Sequence, residues 1–213
     1  MTVHRCPNCG CWLPPGWNTR CDHTPQPEGV YRCIVADPPW PEHGGGKIVR
    51  GAQRHYRLLS LTEIRDVMLA APVWKPCRDG CHLWLWVTNN YLPAGLSLME
   101  DLGFRYITNV AWAKMECPRI AGWVPQKPGL GQYLRGQHEL LLFGVMGRLL
   151  AHAKGSTLLP APRRAHSQKP EEAYALVEMV SPGPRLEMFA REQREGWDSW
   201  GNEVPTTQRS DRT

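Results

Sequence analysis

The stretch Val30-Tyr31-Arg32-Cys33-Ile34-Val35-Ala36-Asp37-Pro38-Pro39-Trp40 decides the fold. Its first seven residues are a short, largely apolar run that reads as a buried strand. Two prolines stop the strand, because proline fixes φ and offers no N–H to a sheet. The acid and the indole therefore sit on a rigid turn at the strand's carboxyl end. Asp37 and the Pro38 carbonyl are hydrogen-bond acceptors with no competing proline donor, so they suit an amine whose nitrogen must be oriented. Trp40 offers a flat face on which an unpaired base could stack. A plain turn with a packed tryptophan fits the same four residues.

Working outward, strand-like and helix-like patterns alternate. The segment His43 to Leu58, with Gly44-Gly45-Gly46 and basic residues, is expected to be a loop. Ser60 followed by Glu63 predicts a capping box, with Leu61, Ile64, Met68 and Ala71 at helical spacing up to Pro72. His82 to Thr88 reads as a strand, Leu92 to Leu102 as a helix stopped at Gly103, and Tyr106 to Lys114 as a strand. Met115 to Arg135 reads as a long loop and His138 to Val145 as a buried strand. Lys169 to Val180 is the strongest helix, with Pro170, Glu171 and Glu172 in its first turn. Leu186 to Ala190 is a last buried strand. Strands separated by helices imply an α/β fold with a doubly wound, mainly parallel sheet. Ligands of such sheets bind beyond the carboxyl ends of strands, where Asp37 and Phe189-Ala190-Arg191 both fall.

The chain of 213 residues allows one such domain with a small appendage. We divide it into a Cys-rich segment at 1–28, a main domain at 29–204 and a polar tail at 205–213, expected to be disordered. No run of eighteen apolar residues occurs, so no membrane helix is expected, and the N-terminus lacks a signal-peptide pattern. We expect a cytoplasmic protein. The net charge of +5 suits a polyanionic partner without requiring one. The basic residues Lys47, Arg50, Arg54 and His55, with Tyr56, follow the Asp37 turn, and mixed cationic and aromatic side chains suit contacts to nucleic-acid phosphates. A solvated loop reads the same way for any one of them.

Five motifs in one order carry a resemblance. They are Asp37-Pro38-Pro39-Trp40, His82-Leu83-Trp84-Leu85-Trp86-Val87-Thr88-Asn89, Gln137-His138-Glu139-Leu140-Leu141, His166-Ser167-Gln168-Lys169-Pro170-Glu171, and Phe189-Ala190-Arg191 ahead of Gly196-Trp197 and Trp200-Gly201-Asn202-Glu203. Over Val30 to Val204 the chain resembles the MT-A70 family, which includes the catalytic subunit for adenine methylation of eukaryotic mRNA and many phage and bacterial relatives. The resemblance implies a Rossmann-like methyltransferase fold of the permuted β-type. It implies methyl transfer from S-adenosylmethionine to the N6 amine of adenine in a nucleic acid, with Asp37-Pro38-Pro39-Trp40 as the catalytic motif. Asp37 would contact the methionine amine and the target amine, and Lys169 the methionine carboxylate. Arg191, Asn202 and Glu203 would hold the ribose and adenine of the cofactor. Arg135 would join the basic loop in binding substrate. Glu139 reads equally as a paired sheet-edge acid or as a member of the site. Tyr133 departs from the family pattern, since several relatives carry tryptophan there.

A compact chain with few extra domains looks more like the phage and bacterial relatives, which favours DNA over RNA as the partner. Cytosine-N4 methylation is the alternative within enzymes. A non-catalytic nucleic-acid-binding paralogue is the alternative outside them, although such subunits typically lose the acidic motif or the cofactor residues retained here.

Eight cysteines remain to be placed. In a cytosolic protein, clustered cysteines suggest metal before disulfides. Cys6, Cys9, Cys21 and His23 have the ligand types of a structural zinc site, with Cys11 as a spare, and free thiols in an unstructured leader are the other reading. Cys77 and Cys81 read as structural. We expect about one zinc per chain, the stoichiometry of a four-ligand site, in elemental analysis of protein purified without added metal. No zinc, with Cys6→Ser and Cys21→Ser matching the wild type in stability, would discard the site.

Overall fold

The computed structural model describes residues 29–41, 58–116, 124–128, 133–164 and 168–204, and the backbone of two short strands, β1 (His4–Arg5) and β2 (Trp12–Leu13). The latter two pair antiparallel within the Cys-rich segment, where no strand was expected.

The main sheet holds β3 (Cys33–Ala36), β4 (Gly80–Val87), β5 (Arg105–Glu116), β6 (Val124–Pro125), β7 (His138–Gly147), β8 (Leu158–Pro162), β9 (Arg185–Met188) and β10 (Trp197–Trp200). Their order is β10-β9-β3-β4-β7-β5-β6, with β8 also paired to β5. Strands β10, β9, β3 and β4 run parallel, β7 is antiparallel to both β4 and β5, and β8 is parallel to β5. The sheet is thus mixed and mainly parallel. From β3 the chain first builds toward β4 and later returns to add β9 and β10 on the opposite side. The strand order reverses at β3, and the crevice there is where open α/β sheets bind ligands.

Among the described residues, three α-helices cover the sheet. The helix α1 (Leu61–Ala70) starts at the expected capping box: Ser60 Oγ accepts from Glu63 N at 3.3 Å, and Glu63 Oε2 accepts from Ser60 N at 2.8 Å. With α2 (Leu92–Asp101) it covers one face, burying Ile64, Met68, Leu98 and Met99 against Ile34, Leu83, Leu85 and Val87. The other face is covered by α3 (Glu171–Val180), through Ala173, Leu176, Val177 and Val180. One helix spans less sheet than two, and large side chains fill that face: Trp84, Trp86, Trp112 and Trp197 are all buried there. Every residue of β4 is buried, as a central strand between two covered faces requires.

Some expectations change. The first strand begins at Cys33, three residues late, because Tyr31 makes only an isolated bridge to Pro76. The fourth motif's helix begins at Glu171, with Pro170 as its cap, which leaves Lys169 on the preceding loop. Strands β6, β8 and β10 were not foreseen. Leu158-Leu159-Pro160-Ala161-Pro162 carries prolines that argue against a central strand, and β8 lies where proline is tolerated, paired along β5 alone. Cys33 and Cys81 are buried free thiols, in line with a structural reading of Cys81. No helix among the described residues is long and apolar enough to cross a membrane.

A buried polar knot ties α3 to the sheet. His82 Nε2 faces the Leu149 carbonyl at 3.2 Å and so carries the ring proton, leaving Nδ1 to accept from Ser181 Oγ at 2.8 Å. Ser181 Oγ accepts in turn from Trp84 Nε1 at 2.9 Å. Burial holds the His82 pKa below 6.5. We expect Ser181→Ala to orphan two buried groups and cost about 2–6 kcal/mol, from about 1–3 kcal/mol for each, in urea denaturation at pH 8. The His82 contribution to stability should decline as pH falls below 6.5 toward its folded-state pKa, because the unfolded chain takes up that proton first.

Candidate active site

Asp37, at the end of β3, meets the loop before α3. Lys169 Nζ lies 2.7 Å from Asp37 Oδ2 and 3.4 Å from Glu139 Oε2. Glu139 Oε1 in turn accepts from Lys114 Nζ at 2.6 Å. Four charges of alternating sign therefore run across the carboxyl ends of β3 and β5 and the start of the antiparallel β7. Sheet register produces this row. Trp112 pairs with Glu139 and Trp86 with Leu141, so Glu139 shares the α3 face with both indoles. Lys169 Nζ sits 5.3 Å from the Trp86 ring centroid, and Lys114 Nζ 5.1 Å from that of Trp112. Each cation thus has an aromatic surface on one side and carboxylates on another.

The electrostatics follow from burial set against pairing. Desolvation raises the Asp37 pKa, and Lys169 holds the rise in check. Burial would also raise Glu139, but Lys169 and Lys114 together outweigh it and the pKa ends below the usual carboxylate value. Lys169 is desolvated too, yet its two carboxylates raise its pKa and keep it charged.

The turn itself is braced. Trp40 N–H donates to the Pro38 carbonyl at 2.9 Å, and Leu59 N–H donates to the Pro39 carbonyl at 3.0 Å. The Trp40 indole donates to the Trp86 carbonyl at 2.8 Å and stacks on Tyr91, with centroids 5.8 Å apart. Tyr91 OH donates to the Pro41 carbonyl at 2.7 Å. Trp40 is 5% exposed, which corrects its expected role: it is a buried brace that fixes the angle of the turn and presents no open face to a base. The Pro38 carbonyl likewise has one lone pair engaged and keeps one for a ligand.

Across the crevice, β9 ends at Met188 and is followed by Phe189, a non-glycine residue in the left-handed region with φ of 62°. Phe189 packs edge-on against Trp200, with centroids 5.8 Å apart, and Ala190 N–H donates to the Trp200 carbonyl at 3.0 Å. A Cβ on Gly201 would lie 2.1 Å from the Ala190 carbonyl oxygen, so glycine is needed for that approach. Arg191 Nε stands 3.9 Å from Glu203 Oε1. Asn202 and Glu203 are exposed beside it. On the same strand, the buried Glu187 accepts from Tyr174 OH at 2.6 Å, and desolvation lifts its pKa to about 7.

The structure thus joins Asp37 with Lys169 and Arg191 with Glu203. It adds Glu139, which lies on the internal strand β7 and not at a sheet edge, and Lys114, which went unread. Lys114 had a detectable signal, since it follows Trp112 by two residues on the strand and so shares its face. Arg135 is exposed ahead of β7, next to Tyr133 at 97% exposed. Lys47, Arg50, Arg54, His55 and Tyr56 lie outside the described residues, as do Cys6, Cys9, Cys21 and His23.

Comparison with known proteins gives the chain's relatives. A family model described as MT-A70 matches residues 31–203. Type II methyltransferase M.MunI of Mycoplasma sp is 28% identical over 204 residues, covering 84% of this chain and 80% of that protein. The human N(6)-adenosine-methyltransferase catalytic subunit METTL3 is 29% identical over 182 residues, covering 83% and 28% respectively. A Drosophila melanogaster N(6)-adenosine-methyltransferase MT-A70-like protein is 27% identical over 214 residues, covering 96% and 32%. The chain spans between 23% and 32% of the length of the plant and animal relatives it matches.

Lys169→Met should strand Asp37 in a desolvated site and destabilise the fold by about 3 kcal/mol at neutral pH, the scale for removing one partner of a buried pair. Without its cation, Asp37 should titrate higher still, and Glu139 should rise with it. The deficit should therefore shrink as pH falls and these carboxyls protonate. Melting curves of both proteins between pH 5 and 8 test this, and a deficit independent of pH would contradict it.

Proposed function

The chain belongs to the MT-A70 family, and on that premise we propose that it transfers a methyl group from S-adenosylmethionine to the N6 amine of adenine in a nucleic acid, with DNA the favoured substrate. The observation that carries this reading is the Asp37–Lys169 pair at the point where the strand order reverses. The donor set suits the cofactor. An amino acid zwitterion needs an acid and a base, which Asp37 and Lys169 supply, and Lys169 keeps a third N–H beyond its two carboxylates. A ribose and a purine need amide, carboxylate and guanidinium groups, which Arg191, Asn202 and Glu203 supply.

The bound cofactor contributes a methyl group already activated on a sulfonium, so the protein's task is positioning and exclusion of water. Lys169 engages Asp37 Oδ2, leaving Oδ1 directed to other donors. Asp37 and the remaining lone pair of Pro38 O accept the N–H bonds of the target amine and aim its nitrogen lone pair. As the N–C bond forms and the S–C bond to the methyl breaks, positive charge develops on that nitrogen; Asp37 accepts hydrogen bonds from its N–H groups, and the surplus proton leaves to solvent. Lys169 favours the ionised form of Asp37 against the effect of its burial. The brace of Trp40 and Tyr91 holds the acceptors rigidly, so little reorganisation accompanies the reaction.

The preference for DNA is supported by M.MunI, a type II methyltransferase over most of whose length the chain aligns. The basic residues Lys47, Arg50, Arg54 and His55, with Tyr56 and Arg135, are assigned to the nucleic-acid backbone, and Cys6, Cys9, Cys21 and His23 to a structural zinc.

The test is mass spectrometry of nucleosides from matched DNA and RNA oligonucleotides incubated with the purified protein and cofactor. N6-methyladenine should form faster in DNA, and Asp37→Ala should lower the rate about a hundredfold or more, the scale of losing one preorganised electrostatic contact. Faster transfer to RNA would overturn the substrate assignment, and substantial activity in folded Asp37→Ala would overturn the site.

A further inference from the structure

Three segments separated in sequence converge outside the charged row. They are residues 163–164 after β8, the first turn of α3, and the turn after β9. Glu171 stands at their junction. Its Oε2 accepts from Arg194 Nη1 at 2.7 Å and its Oε1 from Arg194 Nη2 at 3.3 Å, a two-pronged pair. Oε1 also accepts from Arg164 Nη1. The same Arg164 nitrogen reaches the Lys169 carbonyl at 3.5 Å and Glu192 Oε1 at 3.8 Å. The Arg194 guanidinium lies over the Tyr174 ring, 3.7 Å from its centroid, and Tyr174 OH binds Glu187 on β9. Arg194 Nε is buried with no hydrogen-bond partner. Glu171 on one side and the Tyr174 ring on another therefore fix this side chain.

We propose that Glu171 and Arg194 are positioning residues, an ionic clasp that sets the spacing between the Lys169 side and the Arg191 side of the cofactor crevice. The inference rests on the cofactor assignment made above. Glu171 is two residues from Lys169, and Arg194 is three residues from Arg191. Between Arg191 and β9 lies the Phe189 turn with its positive φ, a conformation that persists only where its surroundings over-determine it. Trp200 and Gly201 hold the near side of that turn, and the clasp holds the far side. Glu171 is about half exposed, and ion pairs at such positions add little to global stability. An arrangement joining three segments through one carboxylate is better explained by the geometry it imposes. Because Glu171 is open to solvent, salt should weaken the pair and loosen the crevice.

The test is calorimetric binding of S-adenosylhomocysteine to the full chain at low and high salt, for wild type, Glu171→Gln, Arg194→Gln and the double variant. Each single change should weaken binding about tenfold with the melting temperature nearly unchanged, and the double variant should be no worse than either, as expected for residues acting through one contact. Salt should weaken wild-type binding and have much less effect on the variants. In turnover assays the KM for S-adenosylmethionine should rise while kcat is largely kept. The charge swap Glu171→Arg with Arg194→Glu should recover part of the affinity. Wild-type binding with both single variants within twofold would overturn the clasp and leave the cofactor assignment intact. A wild-type chain that binds no S-adenosylhomocysteine would overturn that assignment and the clasp with it.

Discussion

Lys169 places one ammonium between two carboxylates, above an indole, in a region largely closed to water. None of the three charges would be tolerated there alone, since desolvation opposes each. Together they satisfy one another, and Lys114 completes the set by binding the far oxygen of Glu139. Because the four residues come from β3, β5, β7 and the loop before α3, the pairing also fixes how those elements meet. The candidate site and the junction of the fold are the same object, and a change in one charge alters both the balance of the other charges and the packing.

The rest of the architecture keeps that junction rigid. The reversal of strand order at β3 opens the crevice, and the antiparallel β7 brings Glu139 to the same end of the sheet as Asp37. Buried tryptophans compensate for having a single helix on the α3 face, and two of them form the floor beneath the lysines. Trp40 and Tyr91 lock the Asp37 turn from below, while Gly201 allows the chain after β10 to press against Ala190 and hold the Phe189 turn. Acceptors held this way need little rearrangement when a ligand arrives.

Much of this was legible in advance because it is local. A strand ending in two prolines, a capping box at Ser60 and Glu63, and helical spacing from Ala173 to Val180 depend on neighbours a few residues away. Elements that depend on distant partners were missed or misjudged. Strand β8 contains prolines and exists because β5 offers one edge to it. The Trp40 indole could equally stack on a ligand or pack inward, and the packing partners that decide this, Trp86 and Tyr91, are about fifty residues away. Glu139 read equally as a paired sheet-edge acid or as a member of the site, because nothing local shows that β7 lies between β4 and β5.

Taken by itself, the sequence determined the residue types of the site, the doubly wound class of the fold and the placement of Asp37 and Arg191 at strand ends, since each follows from local backbone preference and hydrophobic period. Only the tertiary structure decided which charges share a partner. Lys169 is adjacent in the chain to neither Asp37 nor Glu139, and Arg194 lies far along it from Glu171. Their protonation and geometry are set by desolvation and by through-space contacts a few ångströms long, which come into being when the strands take their order in the sheet.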